Sequence, residues 1–288
     1  MRTLEYAAAR VMLATLTWTP LPVAKAFAWF YAHLLDIVMP RLRRIAGQNL
    51  EMAGFEDRQR IVDGVFDSIG RLMVGFARLP RITRENVSSW IRYEGLENFT
   101  VAHSRGKGVL VATAHLGNWE LSAYAHALLT APMHIVVRSL DNNRIDRIVE
   151  RYRAFSGNHI IEKWEAARGI LRALKAGDAV GILIDQNTAA DEGVFIDFFG
   201  VKACAGVAFA RMAHHSGAAV VPGYAVWSQK ERRYILYFEP EIEMTDDAAQ
   251  DTQTIHSRLE AAIRRFPDQW LWIHRRWKTR PPGERPLY

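Results

Sequence analysis

Hydrophobic residues along this chain fall into two patterns, short continuous runs and helical spacings. Residues 109–114 form an apolar run of strand length, a Gly-Asn pair follows at 117–118, and a helical pattern extends from Trp119 to Leu129. This order predicts a buried strand, a turn and a helix. Residues 133–138 and 179–184 have the same buried-strand composition.

Helical spacings separate these runs. Residues 49–76 carry apolar side chains at three- and four-residue intervals, and shorter helical patterns span residues 142–155 and 164–175. Strands that alternate with helices are typical of the α/β class. The sequence therefore predicts a mixed sheet, parallel at its centre and flanked by helices.

The first 45 residues are predicted to form an apolar helical appendage, with residues 46–288 as the main domain. Two apolar segments, 11–24 and 26–35, are interrupted by Pro20 and Pro22. We interpret them as two short helices that associate with one leaflet of a membrane, so that the basic cluster at 41–44 meets head groups. A single kinked span and a helical pair packed on the core are the alternatives. The apolar run beyond residue 26 argues against a cleaved signal peptide.

Composition narrows the possible partners and the compartment. A chain of 288 residues with 49% hydrophobic content is long enough for one large domain with a small appendage. Its net charge of +6 suits a phosphate-bearing partner or an anionic membrane, and would suit nucleic acid equally well. The single cysteine, Cys204, excludes an intrachain disulfide and favours a cytosolic active site.

The candidate chemistry begins with His115, which lies where the first predicted strand ends, a position that favours active sites in α/β folds. Glu120 follows five residues later, an offset of about 140° on one continuous helix. The two side chains converge only if His115 lies in the turn and Glu120 in the first helical turn. Asn118 is a suitable N-cap for that helix, whose dipole favours an early carboxylate. This arrangement predicts a histidine general base oriented by a carboxylate; the alternative is a histidine that caps a turn beside a solvated Glu120.

The segment His-Leu-Gly-Asn-Trp-Glu at 115–120 resembles the His-x-x-x-x-Glu motif of the glycerolipid and lysophospholipid acyltransferase superfamily. In this form it resembles the bacterial lipid A biosynthesis acyltransferases, which add secondary acyl chains late in lipid A assembly. Further similar stretches run from residue 49 to residue 288, including the aromatic segment 193–200 and the tail 270–281. The chain departs from the family at 184–187, where many relatives read Pro-Asp-x-Asp, and at 203–206, which lacks a threonine.

The resemblance also implies substrate-binding residues. Arg138 matches an arginine at the end of the family's second strand. Arg151 and Arg153 form an Arg-x-Arg pair like that of the family, and the sequence does not show which of the two matches the family arginine. Guanidinium groups suit a phosphate or a developing oxyanion. Asp185, at the end of the run 179–184, matches the aspartate of the family's third motif. With Asn118, these residues complete the set of candidates.

The reaction implied is transfer of an acyl chain from an acyl-carrier-protein thioester to a hydroxyl of a lipid A precursor, at the cytoplasmic face of the inner membrane. His115 would be the base and Glu120 would hold its imidazole. No serine or cysteine lies in a nucleophile-elbow pattern, so an acyl-enzyme is not expected. We expect an anionic membrane as a further partner, and no metal, cofactor or nucleic acid. A phospholipid or glycolipid acceptor, a hydrolytic esterase or thioesterase, and a non-catalytic membrane scaffold are the alternatives.

Overall fold

The structure, a computed structural model, describes residues 2–162 and 166–288. Within these ranges helices and strands alternate over most of the chain. The helices are α1 Arg2–Trp18, α2 Leu21–Val38, α3 Pro40–Met52, α4 Arg58–Arg78, α5 Leu96–Ser104, α6 Trp119–Leu129, α7 Asn143–Ala154, α8 Ala166–Lys175, α9 Ala208–Ser216 and α10 Ala248–Arg265. The strands are β1 Ile91–Glu94, β2 Val109–Thr113, β3 His134–Val137, β4 His159–Glu162, β5 Ala179–Leu183, β6 Gly193–Phe198, β7 Val201–Gly206, β8 Ala219–Ser228 and β9 Arg233–Phe238.

One seven-stranded sheet, in the order β1-β9-β8-β2-β5-β3-β4, forms the centre of the molecule. All neighbouring pairs are parallel except β8 and β9, which form an antiparallel pair. Helices cover both faces, as a buried parallel sheet requires. The predicted α/β fold with a mixed, centrally parallel sheet is therefore confirmed. The carboxyl ends of β2, β5 and β3 meet at one edge of this sheet.

Local boundaries differ from the prediction in two places. The predicted continuous helix 49–76 is wrong, because α3 ends at Met52 and α4 starts at Arg58. Gly54 has a positive φ of 76°, a conformation that commonly ends a helix, and Phe55 N donates to Leu50 O at 2.9 Å. Strand β4 was missed, since it has four residues and lies at the sheet edge. The predicted helix 164–175 begins outside the described residues, and its described part is α8.

The aromatic segment of the sequence forms the antiparallel hairpin of β6 and β7. Phe199 and Gly200 have φ values of 56° and 77°, as a tight hairpin turn requires. The Phe198 ring lies 5.8 Å from that of Trp270, and the Phe199 ring 5.4 Å from that of Trp272. All four side chains are buried. This segment is thus part of the hydrophobic core rather than a wall for a ligand.

The N-terminal helices α1 and α2 pack on α4. Thr17 Oγ1 donates to Ala77 O at 2.8 Å, and Arg81 Nη1 donates to Thr17 O at 2.6 Å. The break between the helices at residues 19–20 agrees with the predicted interruption, and Pro22 lies in the first turn of α2, where a missing N–H is tolerated. The buried apolar contact consists of Leu13, Leu16, Ala24, Ala28, Val74 and Ala77.

The opposite side of the same two helices is apolar and exposed. Trp18 is 76% exposed and Ile37 is 75% exposed, and α2 is long and apolar enough to cross a membrane by length and composition. Arg43, which was expected to meet lipid head groups, instead contacts the carboxylates of Asp36 and Asp63, each at 2.7 Å. Exposed apolar surface of this extent is typical of a membrane or protein contact.

The packing of α2 on α4 gives a first prediction. A Cβ at Gly70 would lie 3.2 Å from Ala28 O, so the two helices approach closely. Ala28→Leu should lower the free energy of unfolding by about 1–3 kcal/mol, because a larger side chain has no room there. The matched control, Ala26→Leu, places the same side chain on the exposed face and should change it by less than about 0.5 kcal/mol. Denaturant unfolding in neutral detergent measures both, and equal effects would contradict the packing.

Candidate active site

The site is built on the turn that joins β2 to α6. Gly117 has a φ of 65°, and a Cβ at this position would lie 2.0 Å from Ala225 O, so only glycine fits. Gly117 N donates to Gln269 O and Asn118 N donates to Ala225 O, both at 2.8 Å. These bonds hold the turn against β8 and the C-terminal tail, which fixes the position of His115.

His115 and Asp185 form the central contact of the site. The Nδ1 of His115 lies 2.8 Å from Asp185 Oδ1, and the backbone N of His115 donates to Asp185 Oδ2 at 2.9 Å. Trp270 Nε1 donates to the same Oδ2 at 2.7 Å. An ionised carboxylate only accepts hydrogen bonds, so Nδ1 carries the proton and Nε2 of the neutral ring has a free lone pair. Among the described residues none hydrogen-bonds Nε2, and the side chain keeps 17% exposure.

Charge and burial act in opposite directions on this pair. Burial by itself lowers the pKa of His115, but the adjacent Asp185 carboxylate outweighs it, and the resulting pKa is raised. Burial would raise the pKa of Asp185, yet the interaction with His115 and the hydrogen bonds that it accepts hold this pKa below its usual value. Asp185 is therefore an ionised, fully buried partner that stabilises the imidazolium form of His115.

The sheet register explains why these two residues meet. Strands β2 and β5 are parallel neighbours, with Thr113 opposite Leu183. His115 lies two residues beyond Thr113, and Asp185 lies two residues beyond Leu183. The two residues are therefore neighbours just beyond the carboxyl ends of the adjacent strands. Sequence analysis placed Asp185 among the substrate-binding residues. Aligning the two apolar runs as adjacent parallel strands would have given the His–Asp pair.

The predicted partnership between Glu120 and His115 is corrected by the structure. Glu120 lies in the first turn of α6, as expected, but its carboxylate binds Arg153 on α7. Arg153 Nε donates to Oε2 at 2.9 Å, and Nη2 donates to Oε1 at 2.5 Å. Burial by itself lowers the pKa of Arg153, while the Glu120 carboxylate raises it by more. The acidic charge of Glu120 still acts on His115 as a minor cause of its raised pKa.

The other candidates divide between buried and exposed positions. Asn118 Oδ1 accepts from Leu121 N at 3.0 Å, which confirms the predicted N-cap of α6, and the residue is fully buried without surface for a substrate. Arg138 follows β3 with an exposed side chain. Arg151 is exposed on α7 and lies about 200° around the helix from Arg153, so only Arg153 reaches the active site.

A narrow apolar cleft of about 70 Å³ opens beside the site. Trp119, Glu120 and Arg153 line its mouth, where β2 ends and α6 begins. The cleft continues beneath α6 and across the central strands, past Ala123 and Gly181. Its apolar wall is formed by Val111, Ala123, Met133, Ile135, Val137, Gly181, Leu183 and Phe238.

The C-terminal tail supplies residues whose contacts the sequence did not reveal. Trp270 reaches Asp185, as described, and His274 Nε2 accepts a hydrogen bond from Asn187 N at 3.1 Å. Burial lowers the pKa of His274 to about 4, so this ring is a neutral acceptor that positions the loop after β5. In the part of the chain that is described, no group of three His, Cys, Asp or Glu side chains is placed to hold a metal ion.

The sequence is similar to known proteins over nearly its whole length. The family model described as bacterial lipid A biosynthesis acyltransferase matches residues 1–279. The chain is 32% identical over 280 residues to the lipid A biosynthesis palmitoleoyltransferase of Escherichia coli K12, covering 94% of this chain and 90% of that protein. It is 26% identical over 271 residues to the lipid A biosynthesis lauroyltransferase of the same strain, covering 92% and 88%.

The match extends over nearly the whole chain, including α1 and α2, and the first of these relatives exceeds 30% identity. The protein therefore belongs to the bacterial lipid A biosynthesis acyltransferase family. The family that the sequence resembles is confirmed. The roles of the individual site residues are taken up below as proposals.

The electrostatics of the His–Asp pair give a second prediction. Asp185→Asn should lower the pKa of His115 below its usual value, because burial remains while the opposing carboxylate is removed. Glu120→Gln should lower the same pKa by a smaller amount, since Glu120 is a minor contributor. A pH titration of the His115 ring protons by NMR measures both shifts. A larger effect of Glu120→Gln would show that Glu120 is the principal partner.

Proposed function

We propose that this protein transfers a fatty acyl chain from an acyl-carrier-protein thioester to a hydroxyl of a lipid A precursor, with His115 as the general base. The observation that carries the proposal is the His115–Asp185 hydrogen bond of 2.8 Å next to an apolar cleft, with the His115 ring 4.9 Å from that of Trp119, which lines the cleft. Such a pair activates a hydroxyl, and the cleft suits a hydrocarbon chain. Family membership supports the acyl transfer, and the identities of donor and acceptor rest on it.

The His–Asp geometry determines how the base acts. Asp185 holds Nδ1–H, so Nε2 accepts the proton of the acceptor hydroxyl while its oxygen attacks the thioester carbonyl carbon. The ionised carboxylate stabilises the imidazolium that forms. Since the neutral ring is the base, activity should rise with pH through the raised pKa of His115.

The attack produces a tetrahedral oxyanion, for which the start of α6 is suited. The amides of Trp119 and Glu120 lie in the first helical turn and have no hydrogen-bond acceptor among the described residues. Such amides, together with the positive end of the helix dipole, stabilise negative charge. When the oxyanion collapses, the C–S bond breaks, the carrier thiolate leaves and His115 returns the proton to it.

Glu120 and Arg153 form an ion pair at the same mouth, with 10% and 19% of their side chains exposed. Two parallel hydrogen bonds fix the guanidinium plane and leave Nη1 without a hydrogen bond to any described residue. We assign to Glu120 the positioning of Arg153, and to Arg153 contact with the polar part of a substrate. This proposal replaces the direct contact between Glu120 and His115 that the sequence suggested.

The cleft beneath α6 accommodates the acyl chain. Its small volume is unsuited to a sugar head group, and most of the side chains that line it, from Val111 on β2 to Phe238 on β9, are apolar. Near its inner end His126 is buried, with a pKa lowered to about 4 by burial, so the ring stays uncharged. Each methylene of a buried chain contributes about 0.8 kcal/mol, which makes the cleft a stronger determinant of donor affinity than the polar mouth.

We place the protein at the cytoplasmic face of the inner membrane. The support is the apolar outer face of α1 and α2, with α2 as a candidate span or surface helix, and the single cysteine of the chain. An insoluble acceptor and a soluble carrier protein meet only at such a surface. We therefore assign membrane association to α1 and α2; the boundary that the sequence predicted between residues 45 and 46 falls inside α3.

A His–Asp pair also activates water, so thioester hydrolysis is the competing reaction. A phospholipid or another glycolipid is the competing acceptor class. Mass spectrometry of the products formed from acyl-carrier protein, with and without acceptor lipid, separates transfer from hydrolysis. A product that remains free fatty acid in the presence of every acceptor would favour the hydrolase, and the absence of any product would favour a non-catalytic scaffold.

Removal of the base gives a third prediction. His115→Gln should lower kcat for acyl transfer by about 10²- to 10⁴-fold, because the acceptor hydroxyl loses its proton acceptor. The melting temperature should fall as well, because the buried Asp185 loses a hydrogen-bond partner, so kcat is compared at a temperature at which both variants are folded. His215→Gln, which changes an exposed histidine on α9, is the matched control and should leave kcat unaltered. Equal turnover of the two variants would remove His115 from the mechanism.

Filling the cleft gives a fourth prediction. Ala123→Phe should shift the acyl products towards shorter chains, because a ring at this position occupies the path between the mouth and Phe238. The control, Ala131→Phe, lies at an exposed position just beyond α6 and should leave the product distribution unchanged. Competition among carrier proteins loaded with chains of different length, read by mass spectrometry, measures the shift. A uniform loss for all lengths would indicate a damaged fold instead.

A further inference from the structure

A second, much larger cavity, of about 800 Å³, lies between α1 and α7. Five arginines line it, contributed by α1, by the segment that follows α4, and by α7. No aspartate or glutamate is among its lining residues, although α7 also carries Asp146 and Glu150. Asp146 accepts a hydrogen bond from Leu140 N, outside the cavity. The arginines are Arg10, Arg81, Arg144, Arg147 and Arg151.

None of these five guanidinium groups forms an ion pair within the described residues. Their contacts are with neutral groups: Arg81 donates to Thr17 O, Arg147 donates to Asn143 O, and Arg151 lies over the Phe155 ring at 5.6 Å. Five like charges around one concave surface repel each other and focus a positive potential into it. An anion that entered the cavity would relieve this repulsion.

The spacing along α7 places three of these arginines side by side, with their side chains exposed. Residues 144, 147 and 151 are separated by three and four positions, so they form one stripe that lines the cavity opposite α1. Arg153 lies on the other side of the helix, bound to Glu120. Helix α7 therefore separates the arginine cavity from the catalytic histidine.

Most of the remaining lining is apolar. Leu13, Trp18, Ile148 and Phe155 contribute to the walls, and Trp18 continues onto the exposed apolar face of α1. The cavity thus presents guanidinium groups next to hydrocarbon, at the level of the helices that would contact a bilayer. This combination suits an amphipathic molecule with a phosphate head group.

We propose that the cavity between α1 and α7 is a binding site for the phosphate-bearing head group of a lipid. The phosphate belongs either to the lipid acceptor or to an anionic phospholipid of the bilayer, and both present the same chemistry to the arginines. The concave, partly apolar shape favours a lipid over an acidic carrier protein, which would meet charged residues on a flatter surface. The site is independent of acyl transfer, since it binds without reacting.

The test compares two triple variants with the same loss of charge. Arg144→Gln/Arg147→Gln/Arg151→Gln removes the α7 stripe. Arg168→Gln/Arg172→Gln/Arg211→Gln removes three exposed arginines of α8 and α9 that form no ion pair with a described residue. Binding is measured without turnover in two arms. One uses phosphatidylcholine vesicles with and without phosphatidylglycerol, and the other a diphosphorylated glycolipid and its dephosphorylated form in neutral detergent.

We expect the stripe variant to lose at least about tenfold in affinity in one arm, a change of about 1.4 kcal/mol, while the control variant resembles the wild type. Loss confined to phosphatidylglycerol vesicles identifies a bilayer lipid, and loss confined to the phosphorylated glycolipid identifies the acceptor. Unchanged affinity in both arms overturns the proposal. So does a loss of carrier-protein binding with lipid binding intact. Absence of acyl transfer by the wild type, with lipid binding retained, would refute the proposed function alone.

Discussion

The candidate site depends on one buried carboxylate. Asp185 accepts hydrogen bonds from the ring and the backbone of His115 and from the indole of Trp270, so it joins β2, β5 and the C-terminal tail. A buried carboxylate without such partners would be protonated, and the surrounding chain would lose its anchor. The same contacts fix the tautomer of His115 and raise its pKa. Asp185 therefore both stabilises the packing of these segments and determines the protonation of His115.

Two groups of charged side chains lie on opposite sides of α7, and they differ in whether the charges are paired with opposite charges. On the inner side Arg153 is paired with Glu120 at the mouth of the apolar cleft. On the outer side Arg144, Arg147 and Arg151 have no acidic partner among the described residues and surround a wide cavity. A narrow apolar cleft and a wide basic cavity suit different parts of a lipid reaction, the hydrocarbon chain and the phosphate head group. Helix α7 contributes side chains to both the cleft and the cavity.

The N-terminal helices combine two requirements that usually belong to different proteins. Small residues such as Ala24 and Ala28 allow α2 to approach α4 closely, as in a folded core. The other face of α1 and α2 exposes large apolar side chains, which only a membrane or a partner would cover. Because α1 also forms one wall of the arginine cavity, the proposed membrane association and the proposed head-group binding involve the same helix.

Much of the local structure was determined by the sequence itself. The strand–turn–helix around His115, the N-cap at Asn118 and the α/β class follow from apolar runs, turn residues and helical spacing, which are local properties. The partner of His115 was not predictable in this way, since Asp185 is 70 residues away and meets it only because β2 and β5 are adjacent with Thr113 opposite Leu183. The pairing of Glu120 with Arg153, and the position of α1 across the cavity from the arginines of α7, were likewise decided by tertiary packing. Side chains that are distant in sequence acquire their charges and partners only when burial removes water from between them.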